Sequence, residues 1–171
     1  MSALPQFGHQ EPAQSDILRP GAYAVLSRTD GCIAVLQVGE RFFLPGGGLE
    51  DGETPRQALR REMLEETGCA VHIGREIGRA EEVLQAHGKR CLIQGRFFSA
   101  RLGRQKAQPI ETDHQLIWLE AQAALQKLHS PGQAWAVQIW LENPLSCLPS
   151  THWHPSRLDP VRQLSIHPST P

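Results

Sequence analysis

Residues 47–69 read GGLEDGETPRQALRREMLEETGC and contain the clearest local signals of secondary structure in the chain. Thr54 is a favoured N-cap residue, Pro55 suits the first helical position, and Gln57 stands where a capping box places Glu or Gln. Gly68 is the residue type that most often ends a helix in the left-handed conformation. The stretch therefore predicts a glycine-rich acidic loop, followed by a helix that ends one or two residues before Gly68.

Three carboxylates share one side of this predicted helix. At about 100° per residue, Glu62, Glu65 and Glu66 fall within roughly a third of the circumference. Such acids repel one another unless a cation lies among them, and Mg²⁺ held by oxygen ligands and substrate phosphates fits this need. The alternative is a solvated acidic face supported by an i,i+4 pair between Arg61 and Glu65.

The spacing of the loop, the acids and the final glycine forms a longer pattern. It follows G-x5-E-x7-R-E-U-x-E-E-x-G-U, where U is a bulky apolar residue, and every fixed position agrees. Cys69 stands at the last position, where Ile, Leu or Val is commoner. On these residues the chain resembles the Nudix hydrolase family of MutT-like proteins. The matching positions are Gly47, Glu53, Arg61, Glu62, Met63, Glu65, Glu66, Gly68 and Cys69.

This resemblance implies an α/β fold, a Nudix-type α/β/α sandwich around a mixed central sheet. It also implies an enzyme that hydrolyses a phosphoanhydride bond in a nucleoside diphosphate linked to another moiety, X. Mg²⁺ would be the cofactor, with Mn²⁺ as the alternative. By the same resemblance the metal ligands would be Glu62, Glu65 and Glu66, with the Gly46 carbonyl as a further ligand.

Catalytic roles follow from the same resemblance. Arg61 and Glu53 would pair and orient the helix that carries the ligands, which is a positioning role. One of the glutamates, among them Glu65 and Glu66, or an acid from a downstream loop would deprotonate the attacking water. The alternative reading of the family resemblance is a non-catalytic nucleotide sensor or a protein-interaction module.

The downstream acid is expected just before a predicted strand at residues 116–119. Many Nudix enzymes place a glutamate shortly before a Trp of this strand, but His114 and Gln115 occupy those places here. Glu111 and Asp113 are therefore the candidates to complete the metal or substrate site, and an exposed acidic loop is the alternative.

Further substrate-binding candidates flank the glycine loop. Arg41 lies just before it and is a candidate phosphate ligand, while Gly47 lies within it. Phe43, together with Phe42 and Trp118, is a candidate to stack on a nucleobase, although aromatic residues beside strands more often belong to the core.

The sequence defines the substrate less narrowly than it defines the family. A Pro downstream of the motif marks ADP-ribose hydrolases, but residues 70–102 contain no Pro. A Tyr in a similar place marks dinucleoside polyphosphate hydrolases, but the only Tyr in the chain is Tyr23. Both subgroups are therefore disfavoured. The default expectation is a small-molecule nucleotide, such as a nucleoside triphosphate or a damaged form of one.

The remaining chain is organised as short strands followed by helices. We expect a loose lead-in at residues 1–20, a domain at 21–142, and a Pro/Ser/His-rich tail at 143–171, in which His152 and His154 are a weak metal signal. Asp30-Gly31 predicts a hairpin turn. The predicted strands are 22–27, 33–38, 41–44, 69–73, 77–84, 91–102 and 116–119, and the later helices are 121–128 and 133–141.

Composition limits the class of protein. The chain has 171 residues and a formal net charge of -1, which opposes coating of extended nucleic acid. The four cysteines form no C-x-x-C pair, and we find no signal peptide or membrane-spanning run. These features predict a cytoplasmic protein that is a monomer or a homodimer.

Overall fold

The computed structural model describes residues 4–8, 16–86, 89–111 and 113–143. The predicted C-terminal tail beyond Asn143, with its two histidines, half of the N-terminal lead-in and residues 87–88 lie outside the described residues. The described strands are β1 (Gln6–Phe7), β2 (Ile17–Leu26), β3 (Cys32–Val38), β4 (Arg41–Phe43), β5 (Gly46–Gly48), β6 (Cys69–Ala86), β7 (Lys89–Gln105) and β8 (His114–Glu120). The helices are α1 (Pro55–Thr67), α2 (Ala121–Lys127) and α3 (Pro131–Glu142).

The strands form two sheets. The first has the order β1-β6-β7-β2-β5, with β2 parallel to β7 and β6 antiparallel to it, so it is a mixed sheet. The second has the order β4-β3-β8 and is antiparallel throughout. The expected mixed sheet is therefore confirmed.

The core is divided between the two faces of these strands. Successive side chains of a strand point to opposite faces, so Ala24 of β2 lies in one cluster and Val25 in the other. The Ala24 cluster packs against α1 through Leu59 and Met63. The Val25 cluster packs against α2 and α3, for example through Val137. Helices thus cover both faces, which confirms the α/β/α arrangement.

The predicted hairpin turn at Asp30-Gly31 is confirmed, but the pairing beside it is short. The turn exists, because Arg28 donates to the Cys32 carbonyl at 3.0 Å and Gly31 adopts a φ of 83°. However, among the described residues the chain after β2 pairs with β3 only through the isolated bridge between Ser27 and Ile33. The physical reason is that β2 already pairs with β5 and β7 along its two edges.

Two other strand predictions also need correction. We expected a glycine-rich loop before the helix, but Gly46–Gly48 pairs with β2 as a short strand, because residues without side chains can approach β2 closely. The separate strands predicted at 69–73 and 77–84 are one strand, β6. Register shifts between Ile73 and Gly78 absorb the break in its pattern against β7.

Candidate active site

Helix α1 begins and ends where its capping residues predict. The Thr54 amide donates to Oε1 of Gln57 at 2.9 Å, and the Gln57 amide donates to Oγ1 of Thr54 at 3.4 Å. At the other end Gly68 adopts a φ of 68° and its amide donates to the Leu64 carbonyl at 2.9 Å. Both ends of the helix are thus fixed, which sets the direction of every acid along it.

Arg61 lies at the centre of a network of carboxylates. Its Nε and Nη2 reach the two oxygens of Glu53, each at 2.9 Å, and this fork is the pair that the family resemblance implied. Nη2 also donates to the Gly48 carbonyl at 2.9 Å. Nη1 contacts Glu62 at 2.9 Å and Glu65 at 3.1 Å. The hydrogen bond from Arg61 lowers the pKa of Glu53, and the pKa of Arg61 is raised in return.

Glu66 is the buried member of the acidic arc, with only 4% of its surface exposed. Its Oε2 accepts a 3.0 Å hydrogen bond from the Gly46 amide, which joins the helix to β5. Burial raises the pKa of Glu66 to about 9; the Gly46 hydrogen bond opposes this rise, and the charges of Glu62 and Glu111 add to it. A buried carboxylate of this kind requires a cation or a proton.

The glycine loop leaves room for a second carboxylate. A Cβ atom on Gly47 would lie 2.5 Å from Oε1 of Glu62, so the carboxylate rests where a side chain would otherwise be. Burial raises the pKa of Glu62, although Arg61 opposes the rise. Gly46 adopts a φ of 122°, and a Cβ there would lie 2.2 Å from the Ala22 carbonyl oxygen. Glycine at position 46 thus lets β5 lie against the backbone of β2, and glycine at position 47 leaves space for the Glu62 carboxylate.

A loop after β7 is tied to the C-terminal end of α1. The amides of Ile110 and Glu111 donate to the Glu65 carbonyl at 2.8 Å and 3.2 Å. The amides of Lys106 and Ala107 donate to the Gly68 carbonyl at 2.7 Å and 3.0 Å. These bonds use helix carbonyls that have no partner within the helix, and they carry Glu111 to the acidic arc.

Glu66, Glu111 and His114 form a cluster whose ligand atoms all lie within 4.8 Å of one another. Oε2 of Glu111 and Nδ1 of His114 are 2.5 Å apart, yet both atoms are buried and neither has a hydrogen-bond partner among the described residues. Two carboxylates and an imidazole are suitable ligands for a divalent cation. The two atoms without a hydrogen-bond partner are the ones that would coordinate it. The sequence pattern had not marked His114 as a ligand.

A cavity of about 340 Å³ extends from this cluster. Gly46, Gly47, Glu66 and His114 line it, and apolar and aromatic side chains form most of its remaining wall. The polar lining residues other than Glu66 and His114 were not among the predicted site residues. The remaining lining residues are Tyr23, Leu36, Val38, Phe43, Leu44, Ala80, Glu82, Leu84, Ile93, Gly95, Phe97, Ser130, Gly132 and Gln133.

Comparison with known families settles the family. The model of the NUDIX domain matches residues 17–138, which is more than half of the chain. The chain belongs to the NUDIX family. A relative in Mycolicibacterium smegmatis, named 8-oxo-(d)GTP phosphatase, is 29% identical over 102 residues. The match covers 60% of this chain, and this chain spans only 30% of the length of that relative.

Solved structures have the same fold as this NUDIX domain. A MutT protein from Methanosarcina mazei has a TM-score of 0.61 at 19% identity, over 77% of this chain and 99% of that one. The E. coli ORF135 protein has a TM-score of 0.59 at 22% identity, over 80% and 97%. A C. elegans Ap4A hydrolase has a TM-score of 0.57 at 18% identity, over 74% and 96%.

Several predicted site residues lie apart from the cluster of this NUDIX domain. Asp113 is exposed and is not a member of the cluster, and Arg41 is exposed and does not line the cavity. Phe42 lies beneath Lys127, whose Nζ is 5.2 Å from the ring centroid. Trp118 packs with the α1 cluster. Phe43 alone of the three predicted stacking residues lines the cavity.

The helices of the NUDIX domain also bear on the expected absence of a membrane segment. None of the helices in the described part of the chain is both long and apolar enough to cross a membrane.

Proposed function

We propose that this NUDIX protein hydrolyses a phosphoanhydride bond in a nucleoside diphosphate linked to X, with the help of a divalent cation. The observation that carries the proposal is the buried carboxylate of Glu66, held by Gly46 beside Glu111 and His114 at one end of a cavity. Acids concentrated beside a largely apolar pocket suit a substrate with a charged phosphate part and a less polar remainder.

The cation would be held by side chains from two parts of the fold. Glu62, Glu65 and Glu66 approach from α1, and Glu111 and His114 approach from the loop and strand that follow β7. The Gly46 carbonyl remains a proposed ligand from the resemblance. When bound, a divalent cation neutralises charge on phosphoryl oxygens and lowers the pKa of a bound water.

The chain's own residues supply position and proton transfer. The fork between Arg61 and Glu53 fixes the acidic loop to the helix, so that the carboxylates are held before substrate arrives. The attacking water needs a base, and the carboxylates available are those of Glu62, Glu65 and Glu111, besides Glu66. Single Gln variants of these acids would separate the base from the ligands through the pH dependence of kcat.

The cavity suits the nucleoside part of the substrate. It is lined in part by the aromatic residues Tyr23, Phe43 and Phe97, which offer apolar surface of the kind that a base packs against. The name of the M. smegmatis relative, 8-oxo-(d)GTP phosphatase, supports a nucleoside triphosphate or an oxidised form of one as substrate. A non-catalytic sensor is the less favoured function, because the acids of the motif are all present.

Turnover on a panel of nucleotides tests the proposal. Purified protein is incubated with nucleoside triphosphates, their 8-oxo forms, dinucleoside polyphosphates and nucleotide sugars, each with Mg²⁺ or Mn²⁺. We expect hydrolysis, measured from the nucleotide products and, for triphosphates, from released phosphate or pyrophosphate, that stops when the cation is chelated and that Glu66→Gln abolishes. Binding of nucleotides without turnover of any of them would instead support the sensor function.

A further inference from the structure

The end of the cavity away from the acidic cluster is built around Glu82. Its Oε2 accepts from Oγ of Ser130 at 2.5 Å and from the Gly132 amide at 3.3 Å, at the beginning of α3. A carboxylate is stabilised there by the helix N-terminus. Its second oxygen, Oε1, has no hydrogen-bond partner among the described residues, and the side chain lines the cavity. Glu82 therefore offers the cavity a charged acceptor that is held in place.

Gln133, which follows Gly132 in the first turn of α3, supplies a donor to the same cavity. The residue is 5% exposed and its Oε1 accepts a 2.7 Å hydrogen bond from the Leu44 amide. Because a backbone amide can only donate, this bond settles which end of the side-chain amide is oxygen. Nε2 has no partner in the part of the chain that the structure describes, and Gln133 lines the cavity. A nearly buried donor of this kind needs an acceptor from a ligand or from water.

Tyr23 links this end of the cavity to the metal end. Burial raises the pKa of its hydroxyl to about 12, with smaller contributions from the charges of Glu82, Glu62 and Glu66. The hydroxyl thus stays protonated, and its ring stacks on Phe97 at a centroid distance of 5.7 Å. A flat ligand entering the cavity meets an aromatic wall between the two groups of acids.

We infer that Glu82 and Gln133 read the base of the substrate and select guanine-type bases, an inference that rests on the nucleotide hydrolase function proposed above. Guanine carries two neighbouring donors, N1–H and the 2-amino group, which suit a carboxylate. Its O6 lies beside them and accepts from Nε2 of Gln133. Both polar side chains are then satisfied by one edge of the base.

Other bases leave this pair of residues less well matched. Adenine and cytosine carry a ring-nitrogen acceptor next to their amino group, and that acceptor would face the lone pairs of Glu82. Uracil carries one N–H between two carbonyl oxygens. Hypoxanthine has N1–H and O6 but no 2-amino group. A site whose polar groups are left unpaired by an analogue rejects it strongly, so the 2-amino group should determine preference.

The test compares kcat/KM for GTP, ITP and ATP in wild type and Glu82→Gln. Wild type should prefer GTP to ITP by about tenfold or more, as expected for one lost hydrogen bond to a charged acceptor. In Glu82→Gln the remaining oxygen can still accept from Ser130, but the preference should disappear. The matched control is Glu81→Gln, because Glu81 precedes Glu82 on β6 and bonds to Gln6 and Gln94 outside the cavity. It should keep the wild-type ratio.

A second variant tests Gln133 separately. Gln133→Glu keeps an oxygen for the Leu44 amide but removes the donor to O6, so GTP and ITP should both lose kcat/KM relative to ATP. A GTP/ITP ratio near one in wild type would overturn the inference. An equal loss on all three nucleotides in Glu82→Gln would also overturn it, since that result is expected if Glu82 only caps α3.

Binding distinguishes a failure of this inference from a failure of the proposed hydrolase. Calorimetric titration with GMP, IMP and AMP needs no turnover. If no nucleotide is hydrolysed but GMP binds more tightly than IMP, and Glu82→Gln removes the difference, base selection stands and the hydrolase function fails. If nucleotides are hydrolysed but GMP, IMP and AMP bind equally, the hydrolase stands and base selection fails.

Discussion

Oε1 of Glu62 occupies the space beside Gly47, 2.5 Å from where a Cβ atom on that glycine would lie. A methyl group at position 47 would therefore displace this carboxylate, and the flexible end of the Glu62 side chain would move before the backbone does. The loop and the helix are complementary in shape at the point where the acids of the proposed site converge.

Gly47→Ala should reduce turnover without unfolding the protein. Displacement of Glu62 by about 1 Å is expected to lower kcat/KM by around 100-fold, while the melting temperature changes little. Steady-state kinetics and thermal unfolding measure the two quantities. Gly48→Ala is the matched control, because a Cβ there meets nothing nearer than the Pro20 carbonyl oxygen at 4.0 Å. Equal rates in the two variants would refute the role given to Glu62.

Glu66→Gln should separate stability from activity. The amide oxygen can still accept from Gly46, and a buried Gln needs neither a cation nor a proton to be neutral, so the cation-free protein should be at least as stable as wild type. Turnover should fall by more than the roughly 10- to 100-fold typical of residues that only support metal ligands. Urea unfolding in chelator and initial rates with Mg²⁺ provide the two readouts. Glu40→Gln, at an exposed position, should leave both unchanged.

His114→Ala should change the choice of cation. Imidazole suits ions such as Ni²⁺ and Zn²⁺ better than Mg²⁺, which prefers oxygen ligands. If His114 binds the cation with Glu66 and Glu111, its loss should weaken Ni²⁺ binding more than Mg²⁺ binding. Calorimetric titration of each ion measures this, with the exposed neighbour Gln115→Ala as control. A uniform weakening of both ions would argue that His114 acts only through packing.

The pH dependence of stability should reveal the ion pairs of Glu76. Burial alone would raise the pKa of Glu76, but hydrogen bonds from Arg96 and Arg79 outweigh it and hold the pKa below its ordinary value. A depressed pKa stabilises the fold at pH values above the ordinary carboxyl range, and this contribution is lost as the pH falls through the folded-state pKa.

Glu76→Gln should accordingly lower the free energy of unfolding at pH 7 by less than about 1 kcal/mol, because the pair is partly exposed. The difference from wild type should shrink steadily below pH 4. Urea unfolding across this pH range measures it, and Glu142→Gln on α3 controls for a general effect of charge. A difference that is constant with pH would assign the loss to packing instead.

Local signals predicted the helix of the site almost completely. The caps at Thr54 and Gly68 and the fork between Arg61 and Glu53 depend on residues at most eight positions apart, so a pattern in the chain determines them. Helices α2 and α3 also agree with prediction to within two residues. Such contacts need no knowledge of the tertiary fold.

The cavity could not be predicted in this way. Tyr23, Glu82 and Gln133 come from β2, β6 and α3, and each alone reads as an ordinary strand or helix residue. Their shared function depends on how the sheet and the last helix pack. His114 had the same ambiguity, since its neighbour Glu66 lies on a helix 48 positions earlier. The sequence identified which acids are unusual but not which other groups face them.

The tie between the loop after β7 and the end of α1 has a consequence for insertions. Each residue of a helix adds about 1.5 Å of length and 100° of rotation. Arg61 is held to the loop before α1, while Glu111 is held to the Glu65 carbonyl near its end. One inserted residue between these attachments would turn the acids away from Glu111 even if every side chain were kept. The number of residues in the helix therefore determines whether its acids and Glu111 face one another.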